Sequence, residues 1–312
     1  MPTPLSDLPE GLDGRPFTVA EARAAGTSKR RLRHAGLVTP FRGVRAHGPA
    51  SNLSETDARA AALATVLDAR HTFGRLTALR LTGVDLPPRL RDEHQLQLVV
   101  LDPAARSRRS GVSTRVVPAY GERGVVRGLR ITMPPTTFLH LAKELTEAEL
   151  VMVGDAMTRR DRPVTTVEAL AAHVAGAPAC HGRARARTAV LRVRPGTDSV
   201  PETALRLLIE DAGLPTPVVN APVVHEGRYL GRPDLSYPAL KISIEYLGDV
   251  HRTDRRTWRI DVERHQRFRD AGWTVHEATG DTILRPGPLL ARLRRSGVTS
   301  LGPAHLVPLR ER

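Results

Sequence analysis

Two acidic residues near the C-terminal end, Asp234 and Glu245, have a spacing that can place two carboxylates side by side. If a hairpin turns at Ala239-Leu240, Asp234 lies opposite Glu245 on one face of adjacent strands, because side chains alternate with period two along a strand. Carboxylates that face each other repel unless a cation lies between them, and oxygen ligands favour Mg²⁺ or Mn²⁺. The pair therefore predicts a metal site, with ion pairing to Arg232 and Arg252 as the alternative.

The elements around this pair predict an α/β sandwich with a mixed sheet over residues 197–300. A helix over 199–212 is followed by strands over 218–224, 228–236 and 240–247, a helix over 254–271, a strand over 273–277 and a final helix. Leu205, Leu208 and Ile209 share one face of the first helix, and Gly213 ends it. Turn residues separate the strands, so the two carboxylates belong to the second and third of them.

Four ordered segments of this region match a known family. They are Ser199-Val200-Pro201-Glu202, Gly231-Arg232-Pro233-Asp234, Ile244-Glu245-Tyr246-Leu247-Gly248-Asp249-Val250-His251, and Asp261-Val262-Glu263-Arg264 leading to Ala271-Gly272-Trp273. Together they resemble the endonuclease-like domain family related to the very-short-patch mismatch-repair endonuclease, within the PD-(D/E)XK nuclease superfamily. The resemblance implies a restriction-endonuclease-like fold and a metal-dependent phosphodiesterase.

The resemblance also implies roles for individual residues. Asp234, Glu245 and Glu202 would bind the metal ion as catalytic ligands, and His251 would lie at the edge of the active site. The cation would lower the pKa of a water molecule and neutralise charge that builds on the phosphate. Two alternatives stay open: Ser199 and Glu202 also form a capping-box pattern, and His251 also suits a solvated loop.

Two positions depart from the family pattern. Family members carry a polar residue where Leu247 stands and often a second histidine where Val250 stands, and the wider superfamily places a lysine two residues after the glutamate. Leucine cannot supply that polar group. Two functions therefore compete: a metal-dependent DNA endonuclease that hydrolyses phosphodiester bonds, and a non-catalytic, antitoxin-like DNA-binding regulator with a decayed nuclease domain.

The N-terminal segment, residues 15–50, predicts a winged helix-turn-helix. Thr18 and Ser28 are candidate caps of two short helices, and residues 37–45 form a candidate hairpin wing. Phe17-Thr18-Val19-Ala20-Glu21-Ala22 and Arg42-Gly43-Val44-Arg45 are similar to the winged-helix domain of abortive-infection type IV antitoxins, and Val126-Arg127-Gly128-Leu129-Arg130-Ile131-Thr132 is similar to their middle part. Such a domain binds DNA or, as the alternative, another protein.

The charge balance predicts a polyanionic partner, since 47 basic residues against 33 acidic ones give a net charge of +14. A GC-rich genome that favours arginine is the alternative explanation. The candidate phosphate contacts are Lys29, Arg30, Arg31, Arg33, Arg252, Arg255, Arg256 and Arg259. For the last three, a solvated helix face is the alternative. Aromatic residues make up only 4%, which argues against a stacking platform for single strands and favours double-stranded DNA.

The 312 residues predict a multidomain chain. A mixed α/β middle domain over 53–178, with strands near 95–101, 111–117 and 125–132, leads to a basic linker with a short helix over 179–196. The single cysteine, Cys180, excludes an internal disulfide and fits a reducing cytoplasm. No apolar run approaches the ~18–20 residues of a membrane span, so no membrane contact is expected. A homodimer is compatible with this organisation.

Overall fold

The computed structural model describes residues 8–47, 55–119, 121–248 and 255–299, and only the backbone within 255–262. Helices and strands mix in several sheets, so the predicted α/β class is confirmed. Among the described residues, no helix is long and apolar enough to cross a membrane. The chain divides into two compact units, Met1–Glu144 with His173–Ala184, and Leu145–Ala172 with Arg185–Arg312. The middle domain expected over 53–178 is thus shared between the units.

The first unit begins with two short helices and a small antiparallel sheet in the order β1-β3-β2. The elements are β1 (Phe17–Thr18), α1 (Val19–Ala24), α2 (Lys29–Leu32), β2 (Leu37–Val38) and β3 (Val44–His47). Thr18 and Glu21 form a capping box at the start of α1. Ser28 Oγ accepts a hydrogen bond from the Arg31 N–H at 3.1 Å, which caps α2. Both predicted caps are therefore present.

A five-stranded sheet in the order β6-β5-β4-β8-β7 forms the rest of the first unit. The elements are α3 (Glu55–Ala64), β4 (Thr72–Phe73), α4 (Arg75–Leu81), α5 (Pro88–Arg91), β5 (Leu96–Val100), β6 (Val112–Val116), β7 (Arg123–Val126), β8 (Leu129–Thr132) and α6 (Pro134–Leu141). The sheet is mixed, because β5 and β6 run parallel while β7 and β8 run antiparallel. Its core includes Leu63, Leu81 and Leu98, each fully buried.

The single strand expected over 125–132 is wrong, because this segment is part of a hairpin. The register pairs Val126 with Leu129 across a two-residue turn at Arg127 and Gly128. Both turn residues have positive φ, 47° and 77°. Positive φ at both central residues is the conformation that the tightest hairpins require, and glycine at the second position favours it.

The second unit contains a four-stranded sheet in the order β14-β13-β12-β9 and a separate β10-β11 hairpin. Two of its helices, α8 and α9, are divided between the two units. The elements are α7 (Glu147–Met157), α8 (Val167–Gly176), α9 (Arg183–Arg192), α10 (Val200–Asp211), β9 (Val218–Val219), β10 (Val223–His225), β11 (Arg228–Gly231), β12 (Leu235–Tyr237), β13 (Ile242–Tyr246), α11 (Arg255–Asp270), β14 (Thr274–Ala278), α12 (Gly280–Leu284) and α13 (Gly287–Arg295). β13 and β14 run parallel, and the other pairs run antiparallel, so the expected mixed sheet is present.

The strand expected over 228–236 is also wrong, because the chain changes partners halfway along it. β11 pairs with β10, whereas β12 pairs with β13 and β9. Gly231, with φ 150°, is the last residue of β11, and the break that follows contains Pro233. Proline has no N–H to donate to a strand ladder, which explains why pairing stops there. Asp234 consequently lies directly before a short strand rather than inside a long one.

A buried ion pair fixes α10 against α7. Arg206, which is fully buried, donates from Nη2 to Asp155 Oδ2 at 2.8 Å and from Nη1 to Glu210 Oε1 at 2.7 Å. Thr203 Oγ1 also donates to Asp155 Oδ2, at 2.9 Å. Burial raises the pKa of Asp155, and the charge of Arg206 opposes that rise. Because α10 also carries Glu202, this pair positions one residue of the predicted site.

Candidate functional site

The β12-β13 pairing places Asp234 and Glu245 as the sequence predicts. The observed register pairs Leu235 with Ile244, Ser236 with Ser243 and Tyr237 with Ile242. This is the predicted register, and one further step places Asp234 opposite Glu245. Leu235 and Ile244 belong to the hydrophobic core, so alternation directs the two acids to the other face.

Asp234 has hydrogen bonds to two neighbouring segments. Its Oδ2 accepts from the Tyr246 N–H at 2.7 Å, and its backbone carbonyl accepts from the Asn220 N–H at 3.0 Å. Burial, and then the carboxylate of Glu202, raise the pKa of Asp234 to about 7, although the Tyr246 N–H and the charge of Arg264 act in the opposite direction. The side chain therefore exchanges a proton near neutral pH.

Glu245 is 1% exposed, and its Oε2 accepts a hydrogen bond from Arg264 Nη2 at 3.0 Å. Arg264 lies on α11 and reaches Glu245 past Gly231. A Cβ added at Gly231 would lie 3.1 Å from both Cγ and Cδ of Arg264. The absence of a side chain at Gly231 thus leaves room for the arginine stem. Asp261 lies one helical turn from Arg264, and its side chain lies outside the described part.

Glu202 is also buried, with 6% of the residue exposed. Its Oε2 accepts from Asn220 Nδ2 at 2.8 Å and from the Asp198 N–H at 3.0 Å. Ser199 Oγ accepts from the Glu202 N–H at 3.4 Å, so Ser199 caps α10 as expected. The carboxylate, however, bonds the N–H of Asp198 instead of that of Ser199, so only half of the expected capping box forms.

Asn220 and Arg264 contact the three acidic residues of the predicted site. Asn220 bonds both Asp234 and Glu202, and Arg264 bonds Glu245 while its charge acts on Asp234. The sequence reasoning assigned neither residue to the site. Gly231 was a usable signal for Arg264, since a glycine within a strand marks a close approach of another element. Asn220 occupies the left-handed region, with φ 42°, which is a conformation that asparagine tolerates.

The donor set suits a hard cation, because it consists of carboxylate oxygens on adjacent elements. Each carboxylate is nevertheless bonded to a protein donor, and the described residues contain no group of three or more His, Cys, Asp or Glu side chains arranged to hold a metal ion. Leu247 is held through its backbone, since its N–H donates to Ala278 O at 2.7 Å. His251, Arg252 and Val250 lie outside the described residues.

The predicted phosphate contacts differ in exposure. Lys29, Arg30 and Arg33 are exposed around α2, but Arg31 is buried, with 8% exposed. Arg31 therefore does not belong to the exposed basic face that the sequence predicts. The remaining candidates, Arg255, Arg256 and Arg259, lie in α11 where only the backbone is described.

The arginines of the expected basic linker bind groups of the protein. Arg183 donates to the carbonyls of residues 174 and 175, and Arg185 donates to the carbonyl of Leu145. Arg192 pairs with three acids, Glu147, Glu210 and Asp211. Arg194 donates to the carbonyls of residues 191 and 193. Four of the five arginines between residues 183 and 194 therefore contact groups of the protein and stabilise the fold around α9.

No protein-family model matches the chain. Two relatives are 28% identical to it over 222 residues, which is 70% of this chain and 78% of each relative: the uncharacterized proteins MT2308 and Rv2248, from two strains of Mycobacterium tuberculosis. A crystal structure of the RV2827C protein from Mycobacterium tuberculosis aligns with a TM-score of 0.38 at 18% identity, over 61% of this chain and 75% of that chain. A likeness of that degree carries no inference about function.

Proposed function

We propose that the chain is a metal-dependent DNA endonuclease, with a restriction-endonuclease-like C-terminal domain that carries the site. The observation that supports this most is the cluster of Asp234, Glu245 and Glu202. Asn220 donates to the carboxylate of Glu202 and to the backbone carbonyl of Asp234, and the charge of Glu202 contributes to the raised pKa of Asp234. Repulsion among buried carboxylates destabilises a fold unless the carboxylates bind a cation. Cation binding would therefore explain why these three acids lie together.

Three side chains would hold Mg²⁺ or Mn²⁺: Asp234, Glu245 and Glu202. When bound, the ion would acidify a water molecule and neutralise charge on the phosphate. Arg264 keeps Glu245 in place at 3.0 Å and provides positive charge where a phosphate would lie. Asp234 would release its proton as the site becomes loaded, because a carboxylate ligand must be ionised.

The N-terminal elements support DNA as the substrate. Two helices followed by a hairpin, with sheet order β1-β3-β2, agree with the expected winged helix. Lys29, Arg30 and Arg33 are exposed at its second helix, where phosphate contacts are expected. The net charge of +14 favours a polyanion over a neutral substrate.

Cleavage of supercoiled plasmid tests the proposal. Purified full-length protein should nick plasmid with Mn²⁺ or Mg²⁺ and should not do so with EDTA. Asp234→Asn and Glu245→Gln should each lower the rate by at least about 100-fold, because each removes a ligand charge. Asp161→Asn, at a side chain that is 80% exposed, is the matched control and should retain wild-type activity. Metal-independent cleavage, or equal rates in all variants, would contradict the assignment.

One observation favours the second candidate, a DNA-binding regulator without catalysis. Arg264 occupies Glu245, and Leu247 provides no polar group beside it. A regulator of this kind would bind duplex DNA equally well with EDTA or Mn²⁺ and would leave it intact. Gel-shift titrations alongside the plasmid assay separate the two functions, because only the nuclease requires the metal ion.

A further inference from the structure

The first unit holds a cluster of basic side chains around one carboxylate, in a different unit from the candidate metal site. Arg75, at the start of α4, contacts Glu144 Oε2 through Nη2, and Arg115, on the edge strand β6, contacts Glu144 Oε1 through Nη1. Each carboxylate oxygen thus has one guanidinium partner. The side chains are 14%, 27% and 28% exposed for Arg75, Arg115 and Glu144. The cluster is therefore partly exposed to solvent.

Two polar atoms at this cluster are buried. Among the described residues, Arg75 Nε and His140 Nδ1 have no hydrogen-bond partner. His140 lies in the last turn of α6, four residues before Glu144. An arginine Nε–H can only donate, and a buried donor without an acceptor is uncommon in folded proteins. Glu144 leaves the Nε–H of Arg75 without an acceptor. A ligand with several oxygen atoms would supply one.

Basic groups of this cluster lie close enough to influence one another. Burial lowers the pKa of Arg115, and the charge of Arg75 lowers it further. Burial also lowers the pKa of His140 to about 4, with further contributions from Arg115, His173 and Arg75. Burial lowers the pKa of Arg75, and the charge of Glu93 opposes this effect. A bound anion would relieve the repulsion among these basic groups.

We propose that Arg75, Arg115 and His140 form a binding site for a phosphate oxyanion. Guanidinium groups bind phosphate through paired N–H donors, and two of them converge here beside an imidazole. Glu144 holds both arginines in place without the anion and competes with it when the anion arrives. Free phosphate and a phosphate group of nucleic acid share this chemistry.

Calorimetric titration of inorganic phosphate into the full-length protein, at constant ionic strength set with chloride, tests the proposal. Binding should be saturable. Arg115→Gln should weaken phosphate binding by about tenfold, since it removes one of two paired guanidinium groups. Glu144→Gln should instead strengthen binding severalfold, because it removes the competing carboxylate.

The opposite signs of these two effects separate a site from a structural ion pair. Arg108→Gln, at an exposed position in the loop before β6, removes the same charge and should leave the affinity unchanged. If Arg115→Gln fails to fold, the Glu144→Gln result decides alone. Unchanged or weaker phosphate binding in Glu144→Gln would overturn the proposal, as would the absence of saturable binding to the wild type.

A second readout follows His140 itself. Phosphate should raise the midpoint of the His140 imidazole titration in NMR spectra, because a bound anion offsets the neighbouring positive charge. Competition then identifies the source of the phosphate. A 5′-phosphorylated oligonucleotide that displaces inorganic phosphate, beside an unphosphorylated one that does not, indicates a nucleic-acid end. If both displace it, the backbone is the ligand, and if neither does, the ligand is free phosphate.

Discussion

The three carboxylates of the candidate site are stabilised by different donors. Glu245 faces a guanidinium group, Glu202 accepts from an amide side chain, and Asp234 accepts from a backbone N–H. The charge of Arg264 and a proton on Asp234 would therefore offset part of the negative charge of the cluster. Both would have to adjust when a cation binds, so the site is expected to be sensitive to pH.

The raised pKa of Asp234 predicts a pH dependence of stability. In the unfolded chain this carboxyl has its ordinary pKa of 3.8, against about 7 in the fold. Between these values the folded protein holds a proton that the unfolded chain has released, so the free energy of unfolding falls as pH rises through this window. Relative to Asp234→Asn, the wild type should lose about 1–4 kcal/mol between pH 4 and pH 8.

Urea denaturation of both proteins at several pH values measures this difference. The free energy of unfolding of Asp161→Asn, a variant at an exposed position, should change with pH as that of the wild type does. Parallel curves for Asp234→Asn and the wild type would show that burial does not perturb this carboxyl.

Gly231 should tolerate no side chain, because its Cβ would contact the stem of Arg264 at 3.1 Å. Gly231→Ala is expected to destabilise the protein by about 1–3 kcal/mol through overpacking, beyond any backbone strain. Gly227→Ala is the matched control, since Gly227 has φ 76° but nothing within 4 Å of its Cβ position. Chemical denaturation should show a larger loss for Gly231→Ala, and equal losses would mean that Arg264 moves aside at no cost.

At the scale of elements, residues close together in the sequence predicted helix caps and strand pairing. Contacts between elements that are far apart in the sequence were not predicted. The caps at Thr18 and Ser28 and the β12-β13 register follow from neighbouring residues, and the structure contains them. The breaks at Gly128 and Pro233 also had local signals, which the expectation of continuous strands overrode. In contrast, the contacts that Arg264 and Asn220 make depend on how separate elements pack, and spacing along the chain does not encode that.

The buried pair of Arg206 and Asp155 should be the strongest single link between α7 and α10. Arg206→Met removes the guanidinium and leaves a buried carboxylate unpaired, which should cost about 3–5 kcal/mol. Combining it with Asp155→Leu should recover much of that loss, because a buried pair replaced by apolar residues is often neutral. A double-mutant cycle by thermal or urea denaturation measures the coupling, and additive losses would argue against a direct pair.

At the scale of the whole molecule, net charge is an incomplete guide to where a polyanion binds. Several arginines that composition alone assigns to phosphate instead hold α9 in place, such as Arg185 and Arg192. Of the four phosphate contacts predicted around α2, Lys29, Arg30 and Arg33 are exposed and Arg31 is buried. The exposure of each side chain therefore reduces the set of candidate phosphate contacts. The count of 47 basic residues cannot do so, because it does not distinguish exposed side chains from buried ones.

Salt dependence of DNA binding tests that narrower set. Each phosphate contact should contribute about 0.9 to the slope of log K against log[salt]. Replacing Lys29, Arg30 and Arg33 by alanine should reduce the slope accordingly, measured by fluorescence anisotropy with duplex DNA. Arg31→Ala, on the same helix but buried, should lower stability and leave the slope unchanged. An unaltered slope in the triple variant would remove α2 from the DNA interface.

The short contact between the Tyr246 N–H and Asp234 Oδ2, at 2.7 Å, makes a backbone amide a spectroscopic reporter of the site. The chemical shift of a hydrogen-bonded amide proton depends on the charge of its acceptor. In ¹⁵N-labelled protein, the Tyr246 cross-peak should move as Asp234 takes up a proton, and it should move differently when a diamagnetic cation such as Mg²⁺ displaces that proton. One resonance can thus follow ionisation and metal loading without any substitution in the cluster.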